Sequence, residues 1–114
     1  MGEHVLDRLE PQSLRMSTTL AGGLGCTYEE VCGALSGGAM VIGGLLGRTD
    51  AAQDDDLAQS LAVRYRERFQ ARWGHTQCAA IREEVHAPDG PGTCAAVVEE
   101  AARILLDVLA EMEE

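Results

Sequence analysis

Three of the four cysteines in this sequence lie where a predicted helix begins. Cys32, Cys78 and Cys94 each stand in the first turn or two of a helical segment, a few residues after a threonine. The free amides and the dipole make that end of a helix electropositive, which stabilises a thiolate over a thiol. Thiolates attack disulfides and bind soft metals. The placement therefore favours thiol redox chemistry or metal binding, although a free cysteine can also be an inert apolar side chain.

Cys26 has a different setting, because it lies in a glycine-rich loop immediately before Thr27. Flexibility and exposure there suit a resolving thiol that reaches another cysteine. Its C-x5-C separation from Cys32 is not a recognised metal-knuckle spacing, and an incidental loop cysteine is an equal alternative. His75, three residues before Cys78, could ligate a metal or activate a nearby thiolate, but a surface histidine after a helix end is the commoner case.

Length and charge exclude several classes of protein. A chain of 114 residues is expected to form one domain, residues 1–114, and its net charge of −10 without any lysine argues against nucleic acid as the main partner. The uncharged stretch at residues 31–46 is shorter than the roughly 20 residues that a membrane span needs. No secretory signal is visible, so we expect a cytoplasmic protein with reduced thiols.

Hydrophobic periodicity predicts an all-α fold, a small helical bundle of about four to five helices around a glycine-rich central helix. Two short helical pieces, broken near Pro11, come first. The central helix is predicted over residues 28–46. Thr27 and Glu30 would open it as a capping box, and Gly47 would end it.

The later helices are predicted in the same way, from apolar spacing and from residues typical of helix ends. One is predicted over residues 55–73, beginning at three aspartates and ending at Gly74. Its apolar face recurs every four residues, at Leu57, Leu61, Tyr65, Phe69 and Trp73. The arginines beside that face, at positions 64, 68 and 72, are expected to pair with carboxylates in water. A short helix capped by Thr76 and a last one over residues 94–111 complete the chain.

Small residues surround Cys32 within the central helix. Gly33 and Gly37, with Ala34 and Gly38, remove side-chain bulk there. Another helix could then bring Cys78 or Cys94 within the 4.4–6.8 Å between Cα atoms that a disulfide needs. The alternative is that these residues only permit tight helix packing.

The stretch "CGALSG", Cys32 to Gly37, resembles the C-G-A-x-x-G signature of the C-GCAxxG-C-C family of redox-active proteins. The resemblance covers about residues 12–109. It includes the "GGLG" before the signature, "AMVIGGLLGR" after it, "YRERFQARWGHTQC" leading to Cys78, and "GTCAAVVEEAARIL" with Cys94. The resemblance implies a further cysteine on an upstream helix, which we expect this sequence to lack. Cys26 restores the count of four but not the position.

The favoured function is thiol redox work, as in a thiol–disulfide oxidoreductase, with Cys32 as the principal thiolate and Cys78, Cys94 and Cys26 as partners. No cofactor is then required, and the partner would be a redox protein or a small thiol or disulfide. An alternative is a zinc or iron–sulfur site formed by Cys32, Cys78 and Cys94 with Cys26 or His75. A third is a non-catalytic helical interaction module. We also expect a homodimer, since so short a chain exposes an apolar face.

Overall fold

The computed structural model describes residues 2–112, apart from the side chains of residues 3 and 4. The helices are α1 (Gly2–Leu6), α2 (Pro11–Ser17), α3 (Gly33–Leu46), α4 (Asp56–Trp73), α5 (Cys78–Val85) and α6 (Ala95–Glu111), and a 3-10 turn at Thr18–Leu20 follows α2. Residues 2–112 contain no β-strand, only an isolated antiparallel bridge between Val31 and Gln77. The all-α prediction is confirmed.

The core forms where α3, α4 and α6 meet. Helix α4 contributes the i+4 series predicted from the sequence, with Tyr65 and Phe69 fully buried. One position differs: Leu57 is half exposed, and Ala58 takes the buried place in the first turn. The most buried residues of α6, Val97, Ala101, Leu105 and Val108, face this series. Burial of such apolar area is the main stabilising contribution in a fold of this size.

Ion pairs hold the solvent side of α4 against α6. Arg64 and Arg68 approach the carboxylate of Glu111, and Arg72 approaches that of Glu100. These partly exposed pairs contribute little individually. They confirm that the arginines beside the apolar face pair with carboxylates of this acidic chain.

Helix ends match the predictions in three places. The early break falls after α1, and Pro11 is the first residue of α2. The first residue of a helix needs no amide donor for an intrahelical hydrogen bond, so a proline is tolerated there. Helix α3 ends at Leu46, one residue before Gly47. Gly74 ends α4 in the left-handed conformation, at a φ of 77°, which glycine adopts without steric cost.

The predicted start of the central helix is wrong. Helix α3 begins at Gly33, with Cys32 as its N-cap residue, rather than at residue 28. Thr27 forms no capping box: its hydroxyl oxygen accepts from the amide of Glu29 inside a turn, and Tyr28 has a positive φ of 64°. The Thr76 cap is also wrong, because Gln77 is the N-cap residue of α5 and makes no side-chain cap.

A glycine lets α4 pack against α3. A Cβ atom added at Gly38 would lie 2.2 Å from the hydroxyl oxygen of Tyr65. That hydroxyl donates to the carbonyl of Ala34 at 3.1 Å. The absence of a side chain at Gly38 therefore positions Tyr65 against the first turn of α3.

We expect Gly38→Ala to destabilise the protein by about 1–3 kcal/mol, because the buried tyrosine cannot withdraw from the added methyl group. Gly43→Ala is the matched control in the same helix, since an added Cβ there meets nothing within 4 Å. The control should stabilise by up to about 1 kcal/mol through helix propensity. Urea unfolding measures both. Equal effects of the two substitutions would contradict this account of the packing.

Candidate functional site

The chain segments before α3 and α5 run antiparallel beside each other. Around the Val31–Gln77 bridge, the amide of Cys32 donates to the carbonyl of Thr76 at 2.8 Å, and the amide of Cys78 donates to the carbonyl of Glu30 at 2.8 Å. The Gln77 side chain adds a hydrogen bond to the carbonyl of Glu29. This pairing places the start of α3 next to the start of α5.

The pairing register puts Cys32 and Cys78 on the same face. In an antiparallel pair, neighbours in sequence point to opposite faces, so Cys32 and Cys78, which flank the bridged pair, share one face as diagonal neighbours. Diagonal neighbours have Cα atoms about 7–8 Å apart in regular pairs, against 4.4–6.8 Å in disulfides. All four cysteines are free thiols. The pairing thus leaves Cys32 and Cys78 as unbonded diagonal neighbours at the two helix starts.

The four sulfurs differ in their access to solvent. Cys78 is 7% exposed, Cys32 and Cys94 are half-buried against the core, and Cys26 is exposed. Cys94 is the N-cap residue of α6, as Cys32 is of α3. Three cysteines therefore stand at the first positions of three helices.

The surroundings of Cys78 shift the pKa of its thiol. Burial raises the pKa of the Cys78 thiol, and the negative charge of a Cys32 thiolate raises it further. Arg82 lowers this pKa. Cys94 and Cys26 raise it more weakly. Burial is the largest of these causes, so the surroundings of Cys78 favour its neutral thiol form.

The expectation that a helix start stabilises a thiolate is wrong for Cys78. The amides of Cys78 and Ala79, which would otherwise be free, donate to the carbonyls of Glu30 and Tyr28 at 2.8 Å each. Carbonyl oxygens thus occupy the donors that would stabilise a negative sulfur. Burial then dominates, and the pKa of Cys78 is raised.

The small residues after Cys32 serve three different neighbours. A Cβ at Gly33 would lie 3.3 Å from the backbone of Leu20 and Ala21, so the absence of a side chain there admits the preceding loop. Ala34 offers its carbonyl to Tyr65. Gly37 lines an apolar groove of about 580 Å³ between α3 and the first two helices. Cys78 approaches Cys32 through the backbone pairing rather than across these residues.

Tyr65 contacts the first turn of α3, which follows Cys32. The residue is fully buried. Burial raises the pKa of Tyr65, and the charge of a Cys32 thiolate raises it further, so the phenol stays protonated. The sequence identified Tyr65 as a core residue, but its hydrogen bond to the α3 backbone has no signature in the spacing of apolar residues.

A loop with left-handed backbone covers Cys78. Between residues 22 and 28 every residue except Thr27 has a positive φ, from 57° to 74°. Leu24, Cys26 and Tyr28 are not glycines, and the left-handed region costs such residues about 1–2 kcal/mol each. Gly23 packs so closely that an added Cβ would lie 2.6 Å from the Cβ of Cys78. Sequence reasoning recognised a glycine loop here but not this contact.

The predicted metal ligands do not form a compact set. Among residues 2–112, with the side chains of 3 and 4 set aside, the only three metal-binding groups whose ligand atoms lie within 4.8 Å of one another are Asp54, Asp55 and Asp56. These aspartates form the start of α4, as predicted. His75 lies with its Nε2 atom 3.6 Å from a carboxylate oxygen of Glu84.

Comparison with known proteins gives the family. Residues 2–108 match the model of the family described as "Putative redox-active protein (C_GCAxxG_C_C)". The chain belongs to this family. No curated protein and no solved structure matches it. The resemblance carried by Cys32, Cys78 and Cys94 is thereby confirmed as family membership, which supports a redox role in general terms. In the described part of the chain, no helix has the length and hydropathy to cross a membrane.

The raised pKa of Cys78 predicts a fall in stability at alkaline pH. Below about pH 8.5, the usual value for a free thiol, folded and unfolded chains both keep this proton. Above it the unfolded chain releases the proton while the folded chain retains it, so unfolding becomes more favourable by up to about 1.4 kcal/mol per pH unit.

Urea unfolding under reducing conditions at about pH 7.5, 8.5 and 9.5 measures this effect. Cys78→Ala is the control, because it should lose less stability across the same interval. Tyr65 is present in both proteins, so the contribution of its titration cancels in the comparison. Equal pH dependence in both proteins would contradict the assignment.

Proposed function

We propose that this member of the C-GCAxxG-C-C family performs thiol–disulfide exchange through Cys32 and Cys78. The observation that carries the proposal is the pairing around Val31 and Gln77, which holds the two cysteines on one face at adjacent helix starts. Family membership supports a redox role without naming the reacting pair.

The surroundings of the two thiols support a division of roles. Cys32 is partly open to solvent at the N-cap of α3. Cys78 is buried, and its raised pKa keeps it protonated at neutral pH. Since the thiolate is the attacking form, Cys32 reacts first with an external disulfide, and Cys78 acts second.

The exchange then takes two steps. The Cys32 thiolate attacks one sulfur of an acceptor disulfide, forming a mixed disulfide and releasing the other sulfur as a thiolate. Cys78 loses its proton to solvent and attacks the Cys32 sulfur, forming the Cys32–Cys78 disulfide and releasing the second thiolate. Two protein thiols are oxidised to one disulfide, and the acceptor disulfide is reduced to two thiols.

The other two cysteines have secondary places in this scheme. Cys94 interacts electrostatically with Cys78 and is half-buried, so it is the alternative partner for either sulfur. Cys26 is exposed on the covering loop, and the proposal gives it no step. The acceptor is a small disulfide or a partner protein. Self-association and a cytoplasmic location stay predictions.

Oxidation of the reduced native protein with excess oxidised glutathione tests the pair. We expect one intramolecular disulfide between Cys32 and Cys78, identified by peptide mass spectrometry without reduction, and a release of two equivalents of glutathione. Cys32→Ser should abolish formation of the bond. Cys78→Ser should instead accumulate a glutathione adduct on Cys32. Cys26→Ser is the matched control and should behave like the unaltered chain.

Three outcomes would contradict the proposal. One is a Cys32–Cys94 bond as the main product, which would place the resolving thiol on α6. Another is stoichiometric zinc or iron in protein purified without oxygen, measured by elemental analysis, which would favour the alternative of a cysteine-ligated metal site. A third is that all four cysteines stay reduced and no metal is bound, which would leave the interaction-module alternative.

A further inference from the structure

The segment covering Cys78 is called the lid here and consists of residues 22–28. It leaves the 3-10 turn, runs in left-handed conformation past Cys78, and rejoins the chain shortly before the paired segment at Val31. Gly23 is buried within it and lies directly against the Cβ atom of Cys78.

Through Gly23, the lid contributes to the low exposure of Cys78. Residues 24–28 are exposed, so only the inner surface of the segment is buried. Cys78 beneath it is 7% exposed, whereas Cys32 and Cys94, which begin their helices in a comparable way, are half-buried. A reagent can therefore meet Cys32 while Cys78 is covered.

Two kinds of interaction hold the lid down. Its backbone carbonyl at Tyr28 accepts from the amide of Ala79 in α5, whereas the bond from the amide of Tyr28 to the carbonyl of Gly22 lies within the lid. The guanidinium of Arg82, one turn along α5 from Cys78, lies 4.3 Å from the centre of the Tyr28 ring. This cation–π contact fixes the end of the lid to the helix that carries the covered thiol.

Backbone strain within the lid favours its opening. Leu24, Cys26 and Tyr28 have φ values of 74°, 57° and 64°, which residues with side chains adopt only when the surroundings enforce it. Opening lets all three return to ordinary conformations. Contacts that close the lid are thus balanced against strain that opens it.

We propose that residues 22–28 are a lid that opens to admit Cys78 to the exchange reaction. When the lid is closed, an external disulfide reaches Cys32 alone, and Cys78 is shielded from attack by free thiols and oxidants. When it opens, Cys78 can move to the Cys32 sulfur. The consequence for catalysis rests on the proposed function, but the opening itself is a property of the fold.

Alkylation of reduced native protein with iodoacetamide tests the lid, with modification of Cys78 followed by peptide mass spectrometry. Leu24→Gly relieves strain at an exposed lid position, which stabilises the closed lid. The glycine also adds chain entropy to the open lid, which offsets part of this gain. We expect Cys78 to react roughly three-fold more slowly. Tyr28→Leu keeps the strained position but removes the ring from Arg82. We expect roughly two- to five-fold faster modification. Neither substitution changes a charge near Cys78.

Asp7→Gly is the matched control. Asp7 also has a positive φ, 71°, but lies in the connection between α1 and α2, so it should leave the modification rate of Cys78 unchanged. Urea unfolding of each variant shows whether modification follows global unfolding.

The proposal is overturned if Leu24→Gly and Tyr28→Leu leave the rate unchanged or move it in the same direction. It is equally overturned if Asp7→Gly slows modification as much as Leu24→Gly does, since Cys78 would then be reached by global unfolding. The assay uses no disulfide substrate. If the alkylation rates contradict the lid, the oxidation experiment on Cys32 and Cys78 still tests the proposed function. If no Cys32–Cys78 disulfide forms, the alkylation rates still test the lid.

Discussion

The backbone pairing on either side of Val31 and Gln77 is the interaction on which the site depends. It joins two segments that are far apart in sequence, and each then turns directly into a helix that begins at or beside a cysteine. A free amide at a buried helix start is costly unless it finds an acceptor. Here the acceptors for α5 are the main-chain carbonyls of Tyr28, at the end of the covering loop, and of Glu30, just after it. The hydrogen bonds that satisfy the first amides of α5 therefore also position Cys78 beside Cys32.

This arrangement has an electrostatic consequence. The carbonyls that satisfy the first amides of α5 also cancel the positive field that would favour a thiolate at Cys78. Arg82 supplies the opposing positive charge, but its guanidinium lies over the Tyr28 ring, and burial remains the larger influence on the Cys78 pKa. A cysteine at a helix start is thus not sufficient evidence of a low pKa. The acceptors already bound to the helix amides have to be known as well.

The sequence predicts most of the fold because its apolar periodicity reports burial directly. The i+4 series in α4, the stripe in α6, the left-handed Gly74 and the break at Pro11 all follow from local rules, and Cys32, Cys78 and Cys94 were recognised from their place at helix starts. Residues 22–32 could not be predicted in this way. Thr27 and Glu30 have the spacing of a capping box, but the glycines before them permit a left-handed turn whose carbonyls serve a helix some fifty residues later. Long-range pairing of this kind leaves no local pattern. Its only traces are the glycine run and Val31, a β-branched residue preceding the motif.

The two cysteines of the proposed pair are held with different rigidity. The side of α3 that follows Cys32 is anchored in the core, since Tyr65 binds the carbonyl of Ala34 and fits the space left by Gly38. Cys78 instead lies against Gly23, in an exposed surface segment with left-handed backbone. Core packing resists small displacements far more strongly than an exposed loop does. In the proposed scheme, the difference in packing and the raised pKa of Cys78 favour the same order, in which the more accessible Cys32 reacts before the buried Cys78.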